Sequence, residues 1–195
     1  MHIISHRVNT IDLLKKTSKI YGIEVDIRSF SGILTIHHEP FIQGEIFEDW
    51  IKFYQHGTLI LNVKEEGLES KLLEIMNQYN IEDFFFLDQS FPFIMKTTSQ
   101  GERRCAVRFS EYEDINTALS LTGLVDWVWV DCFKNLPLNL EKAEILQNAG
   151  FKLCIVSPEL QGRGSVAEIL DFRNQIQLLG IKGDAVCTKH ADLWD

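Results

Sequence analysis

Six residues near the amino terminus have the types and the order that phosphate-ester chemistry requires. They are two histidines, three carboxylates and an arginine: His6, Arg7, Glu24, Asp26, His38 and Glu39. Histidines transfer protons near neutral pH, paired carboxylates hold a divalent cation, and the planar fork of an arginine binds phosphate oxygens. The rest of the chain must supply elements that bring these residues together.

The composition favours a folded protein with one domain over residues 1–195. Hydrophobic residues make up 45% of the chain, enough for a sizeable core. The formal net charge of −9 disfavours a broad surface for nucleic acid or anionic membrane. No basic segment leads into a long apolar stretch, and no window reaches the roughly 20 apolar residues of a membrane span. We expect a cytoplasmic protein with a small-molecule partner and no integral membrane segment; the oligomeric state is not readable.

The four cysteines stand one each in separate apolar segments, at Cys105, Cys132, Cys154 and Cys187. No pair has the spacing of a metal finger or a redox motif. Free cysteine is among the most buried residue types, so we predict buried, reduced thiols.

Short apolar runs alternate with segments of helical periodicity along the whole chain. The runs predict eight strands, at residues 2–5, 23–27, 58–63, 83–87, 105–109, 127–132, 152–156 and 184–187. Helical spacing predicts helices at residues 11–21, 70–79 and 140–149, and a capping box at Ser165 and Glu168 opens a last helix that ends near Leu179.

This alternation predicts an α/β fold, a compact (β/α)₈ TIM barrel in which some helices are short or missing. Nearly continuous apolar strands suit a parallel sheet that is buried on both faces. The length of 195 residues is just below the roughly 200 to 250 residues usual for such barrels. A doubly wound open sheet is the rival, although no glycine-rich dinucleotide fingerprint supports it.

Polar residues follow almost every predicted strand, at the end where such barrels build active sites. Besides the first six, the candidates are Asn62, Lys64, Asp88, Arg108, Asp131 and Glu159. Because side chains of a strand alternate, Glu24 with Asp26, and Asn62 with Lys64, point to the same side. The bland alternative is a structural network of ion pairs, in which Arg7 pairs with Glu24 and Lys64 with Asp26.

The order His6-Arg7, Glu24-x-Asp26 and His38-Glu39-Pro40 resembles the glycerophosphodiester phosphodiesterase family, whose pattern is His-Arg, Glu-x-Asp and His-Asp-Pro. Asn9-Thr10 resembles a shortened Glu-Asn-Thr segment of the family, and Asn62-Val63-Lys64 falls where the family has Glu-x-Lys. Later segments resemble a short bacterial branch of phospholipase-C-like phosphodiesterases.

The resemblance implies a metal-assisted phosphodiester hydrolase in which His6 and His38 are the general acid and base. Arg7 and Lys64 would bind phosphate, and Glu24, Asp26 and Asn62 would hold Mg²⁺ or Ca²⁺. Two positions depart from the family pattern: Asn62 supplies a neutral amide oxygen in place of a carboxylate, which should weaken metal binding, and Glu39 lengthens the arm of an aspartate. Asp131 or Glu159 would then reach the same centre.

Several alternatives stay open at this stage. His37 stands beside His38 as a second imidazole, and either water or a substrate hydroxyl is a possible nucleophile. A non-catalytic phosphate-ester-binding protein, a metal-independent phospholipase-C-like lyase and a sugar-phosphate isomerase or aldolase are the other functions. Retention of both His6 and His38 favours catalysis, since a binding protein needs no pair of proton-transfer groups.

Overall fold

The computed structural model describes all residues, 1–195, and contacts divide them into two compact units. The first unit comprises residues 5–102, and the second comprises residues 1–4 with residues 103–195. Strand β1 (His2–Ser5) opens the chain and lies in the second unit as far as Ile4. The prediction of one domain over residues 1–195 stays a prediction.

The first unit contains five further strands and four helices. The strands are β2 (Gly22–Phe30), β3 (Ile33–Ile36), β4 (Glu45–Ile46), β5 (Leu59–Val63) and β6 (Phe84–Leu87). The helices are α1 (Ile11–Lys16), α2 (Phe47–Trp50), α3 (Glu69–Gln78) and α4 (Phe91–Ser99). Strands β2, β5 and β6 pair in parallel, whereas β3 pairs antiparallel with both β2 and β4.

The centre of this unit is β2, whose residues from Gly22 to Ile27 are all buried. Ile23, Val25 and Ile27 are fully buried, as are the polar residues that alternate with them. An apolar strand covered on both faces is typical of parallel sheets with helices on either side. The carboxylates of β2 are therefore fixed in a low-dielectric environment.

The second unit continues with four parallel strands and three helices. The strands β7 (Ala106–Phe109), β8 (Trp127–Val130), β9 (Lys152–Val156) and β10 (Ala185–Thr188) pair in that order. The helices are α5 (Ile115–Leu119), α6 (Leu140–Asn148) and α7 (Val166–Leu178). Ser165 and Glu168 form the predicted capping box, and the four cysteines are buried and free, as predicted.

The α/β class and the alternation of parallel strands with helices are confirmed in both units. All eight predicted strands exist, and β1 and β9 have the predicted bounds. Closure of the strands into a barrel stays a prediction. None of the helices combines the length and the apolar character needed to cross a membrane.

The antiparallel strands β3 and β4 are absent from the sequence prediction, which treats that segment as a loop. Ser31 and Gly32 both have positive φ, 52° and 80°, which is the backbone of a two-residue hairpin turn between β2 and β3. β3 has only four residues and is too short for a periodicity argument. The prediction also extends α1 to Tyr21, whereas the helix ends at Lys16 because the Thr17 hydroxyl donates to the Leu13 carbonyl.

Candidate active site

Glu24 and Asp26 lie two residues apart on β2 and are both fully buried. In the parallel pairing of β2 with β5, Asp26 stands opposite Asn62. The Asn62 side-chain amide donates a hydrogen bond of 2.8 Å to Glu24 Oε1. The three residues predicted to hold a metal therefore lie together.

His6 and Arg7 follow β1 and contact the same pair of carboxylates. The Arg7 backbone N–H donates to Glu24 Oε2 at 2.7 Å, and Arg7 Nε lies 3.6 Å from Asp26 Oδ2. His6 Nε2 lies 3.6 Å from Glu24 Oε2. Arg7 has a φ of 54°, in the left-handed region that residues other than glycine rarely adopt. This strained backbone lets one residue contact both carboxylates, and strain of this kind clusters at functional sites.

Asp26 has further partners on both sides. Asn9 donates from Nδ2 to Asp26 Oδ2 at 2.8 Å and accepts from the Asp26 backbone N–H at 3.0 Å. Lys64 Nζ lies 3.4 Å from Asp26 Oδ1 and 2.8 Å from Asp88 Oδ2. The predicted phosphate-binding residues Arg7 and Lys64 thus both lie against Asp26.

His38 is paired with its neighbour Glu39, since His38 Nδ1 lies 2.8 Å from Glu39 Oε1. This bond, with the charge of His38, is the main reason that the pKa of Glu39 is lowered, and Arg7 and Arg28 lower it further. If the proton of the neutral ring is on Nδ1, Nε2 keeps its lone pair. The chain neighbour His37 donates its backbone N–H to the Asp26 carbonyl at 3.1 Å, which places this loop beside the carboxylates.

Arg28 connects the His38 loop to the end of β5. Its guanidinium donates to the His38 carbonyl from Nε at 3.0 Å and from Nη2 at 2.8 Å, and to the Lys64 carbonyl from Nη1 at 3.3 Å. Only 14% of the side chain is exposed. A planar guanidinium that makes three bonds fixes two loops relative to each other, so Arg28 sets the positions of His38 and Lys64.

The donor set fits a divalent cation in chemical type. Asp26 Oδ1 and Asn62 Oδ1 are buried and make no hydrogen bond, and both are oxygens of the kind that Mg²⁺ and Ca²⁺ accept. Both oxygens of Glu24, by contrast, already accept hydrogen bonds. No group of three or more His, Cys, Asp or Glu side chains has the arrangement of a metal site. Asn62 is therefore essential to any cation site built here.

Burial dominates the electrostatics of Glu24. It raises the pKa of Glu24 from the ordinary value of 4.5 to about 7, and the neighbouring charge of Asp26 raises it further, against hydrogen bonds from Asn62 and Arg7. A carboxyl group with a raised pKa binds its proton more tightly in the folded protein than in the unfolded chain. Ionisation of Glu24 at high pH therefore costs stability.

The E24Q variant should show this cost directly. In chelator, the free energy of unfolding of the wild type should fall by on the order of 3 kcal/mol as the pH rises from 4.5 to about 7, because only the unfolded chain ionises freely there. Glu24→Gln should remove this fall, since the amide does not titrate. Urea unfolding at several pH values measures it, with the exposed Glu144→Gln as the matched control. An equal fall in E24Q and the wild type would show that another group is responsible.

The remaining predicted site residues lie in the second unit and have partners there. Arg108 Nη1 donates to Asp131 Oδ2 at 2.9 Å, and Gln161 donates to the other oxygen of Asp131. Glu159 is buried and accepts from the Thr188 hydroxyl at 2.6 Å and from the Lys189 backbone N–H at 2.9 Å, and Ser157 bonds its second oxygen. A role for Asp131 or Glu159 at the metal centre stays a prediction.

Two residues of the site are absent from the predicted set, Asn9 and Arg28. For Arg28 a signal exists, because Glu24, Asp26 and Arg28 follow one another with the period of two that puts side chains on one face of a strand. The predicted strand ends at Ile27, one residue too early to include it. Asn9 stands in the segment that resembles the family, but its bonds to Asp26 depend on tertiary structure.

Comparison with solved structures gives the fold. A glycerophosphodiester phosphodiesterase from Agrobacterium tumefaciens matches with a TM-score of 0.70 and 15% identity, over 99% of this chain and 98% of that chain. The fold is that of a glycerophosphodiester phosphodiesterase. A second A. tumefaciens protein, assigned as a glycerophosphoryl diester phosphodiesterase, has a TM-score of 0.67 and 12% identity, with coverage of 96% and 93%.

A third structure with the glycerophosphodiester phosphodiesterase fold comes from Parabacteroides distasonis. It is a glycerophosphoryl diester phosphodiesterase that matches with a TM-score of 0.57 and 11% identity, over 96% of this chain and 82% of that chain. No protein-family model and no curated protein sequence matches. The resemblance inferred from short motifs is therefore supported by the fold.

Proposed function

We propose that this protein is a phosphoric diester hydrolase that acts on glycerophosphodiester-like or polyol and sugar phosphodiesters. One observation carries the proposal: His6, Arg7 and Lys64 each lie within 3.6 Å of the buried pair Glu24 and Asp26. The loop with the second imidazole, His38, is hydrogen-bonded to Asp26 through His37. Two proton-transfer groups and two anion-binding groups at one site suit displacement at phosphorus.

In the proposed reaction, a water oxygen forms a bond to phosphorus and the bond from phosphorus to the alcohol oxygen breaks. His38 takes the proton of the attacking water on Nε2, because Glu39 holds its Nδ1 at 2.8 Å. His6, beside Glu24, gives a proton to the departing alkoxide. The products are a phosphate monoester and a free alcohol, and each proton transfer contributes roughly 10² to 10⁴ in rate.

Arg7 and Lys64 bind the non-bridging oxygens of the phosphate in this proposal. Lys64 is held between Asp26 and Asp88, so its ammonium is fixed where charge develops. A divalent cation bound by Asp26 and Asn62, with Glu24 adjacent, would supply Lewis-acid stabilisation of the same oxygens. Asp26 then serves both the cation and the two basic side chains.

Hydrolysis assays test the proposal. Wild-type protein should release a phosphate monoester from glycerophosphodiesters and from bis(p-nitrophenyl) phosphate in Mg²⁺, Ca²⁺ or Mn²⁺. Chelator and the Glu24→Ala variant should abolish this release, whereas the exposed control Glu144→Ala should not change it. Tight binding of diesters without turnover would contradict hydrolysis and support a phosphate-ester-binding protein.

One contact favours a second candidate, a metal-independent lyase. The Lys64 ammonium lies 3.4 Å from Asp26 Oδ1, one of the two oxygens that are offered to a cation. A fixed ammonium there can balance the charge that a metal would otherwise balance. In this reaction a substrate hydroxyl next to the phosphate attacks and a cyclic phosphate leaves. Phosphorus NMR of the products, with full activity in chelator, would identify the lyase.

A further inference from the structure

A cavity of about 560 Å³ opens beside the candidate site in the first unit. It lies between Asn9 and Thr10, which precede α1, and the segment from Ile36 to Glu45 that joins β3 to β4. His38 and Asn9 line it directly, and Asn9 is hydrogen-bonded to Asp26. The volume is within the roughly 300 to 1,000 Å³ of ligand pockets. A group attached to a phosphate at the site can extend into this space.

The lining is polar and has unused hydrogen-bonding groups. His37 makes its bonds through Nδ1 to the Glu39 backbone, so its Nε2 has no partner. Glu45 accepts from the Ile11 backbone N–H with Oε2 at 2.6 Å, which leaves Oε1 for a ligand. The Gln43 amide makes no hydrogen bond, and the Thr10 hydroxyl accepts from Leu13 N–H while its own proton can be donated. Several donors and acceptors therefore converge.

The position of the wall with Gln43 and Glu45 depends on a glycine. A Cβ added to Gly44 would lie 1.9 Å from the carbonyl oxygen of Ile36, which no real contact allows. Only glycine permits this close approach of the loop to β3. The register of β3 and β4, with Ile36 opposite Glu45, fixes the same wall.

The chemistry of the lining selects between the alcohols of a phosphodiester. No lysine or arginine lines the cavity, and Glu45 repels an anion, so a second phosphate or carboxylate is disfavoured. No aromatic cage for a quaternary ammonium is present among the lining residues. Carboxylate, amide, hydroxyl and imidazole groups together match the alternating donors and acceptors of neighbouring hydroxyl groups.

We propose that this cavity, with Gln43, Glu45 and His37, binds an uncharged polyhydroxylated alcohol of the substrate, a polyol or a sugar, in preference to a cationic alcohol. The selectivity for turnover rests on the proposed hydrolase function, whereas binding does not. Gln43 and His37 are then specificity residues, because they contact the alcohol and not the phosphate.

The test compares two diesters that share one half, glycerophosphoglycerol and glycerophosphocholine, by kcat/KM and by isothermal titration calorimetry in a cation and in chelator. The wild type should prefer the polyol diester. Gln43→Ala should lower kcat/KM and affinity for glycerophosphoglycerol by roughly 5- to 10-fold, the value of one hydrogen bond, and leave glycerophosphocholine within about 2-fold. Gln100→Ala, another exposed glutamine of the first unit, is the matched control. Glu45→Gln keeps the acceptor for Ile11 and tests the charge.

The outcomes separate this inference from the proposed function. Turnover of both diesters without preference, or an equal loss for both in Q43A, would overturn the inference and leave the hydrolase intact. Selective binding of glycerophosphoglycerol that Q43A weakens, without turnover of any diester, would support the cavity and overturn the hydrolase. Neither selective binding nor turnover would overturn both.

Discussion

Replacing His38 by alanine should lower kcat for phosphodiester hydrolysis by about 10² to 10⁴-fold, the usual value of one general base. Glu39 holds the Nδ1 edge of the imidazole at 2.8 Å, so Nε2 is the atom that accepts a proton from the nucleophile. His6→Ala should cause a loss of the same order, because the alkoxide would then leave unprotonated. Steady-state kinetics with a glycerophosphodiester measure both effects.

The control for these histidine variants is His190→Ala, whose side chain is exposed and lies in the second unit. The double variant H6A/H38A should lose less than the product of the two single losses, since groups that act in one step are not additive. A bell-shaped pH profile of kcat/KM should lose one limb in each single variant. Full activity in H38A would move the proton-transfer role to another group, of which His37 is the nearest in sequence.

Arg28→Met should lower kcat by roughly 10²-fold, although Arg28 touches neither carboxylate of the site and its role is that of a positioning residue. Its three bonds to the carbonyls of His38 and Lys64 are the reason, because a displacement of about 1 Å in a reacting group costs about this factor. KM should change less than kcat, since Arg7 still binds the phosphate. Arg28→Lys should recover only part of the loss, because an ammonium lacks the planar fork.

A double-mutant cycle separates positioning from general destabilisation. In the His38→Ala background, Arg28→Met should add little further loss, since the group that it positions is already absent. Thermal unfolding of the same variants reports any change in stability. If R28M reduced kcat by the same factor with and without His38, Arg28 would act through Lys64 or through the stability of the first unit instead.

Much of the site follows from sequence pattern, and the part that does not depends on contacts between distant residues. The period of two on β2 places Glu24 with Asp26, and the register of β2 with β5 then brings Asn62 next to them. The orientation of the Asn62 amide, with its nitrogen towards Glu24, is a property of the packed site that spacing cannot give. The pairing of Asp88 with Lys64 is likewise a contact between two strand ends.

The fold is predictable where strands are long or strongly apolar, and it is not where tertiary structure overrides local preference. The run from Phe84 to Leu87 predicts a buried strand with little ambiguity. Helix α4 contains Phe91, Phe93 and two threonines, residues with weak helix propensity, and the sequence prediction omits it. Within the segment between β2 and α2, Phe47 is fully buried while Phe41 is 97% exposed, so similar residues have opposite environments there.

The alternation on β2 also has a consequence for the accuracy of folding. Glu24, Asp26 and Arg28 share one face, and Val25 and Ile27 share the other. A slip of one residue in the pairing of β2 with β5 would turn every one of these side chains to the opposite face. Buried charges would then lose all their partners together, at a cost that no mispaired sheet recovers. The polar face of β2 therefore acts as a register lock, and the residues that suit catalysis also exclude the competing misfolded state.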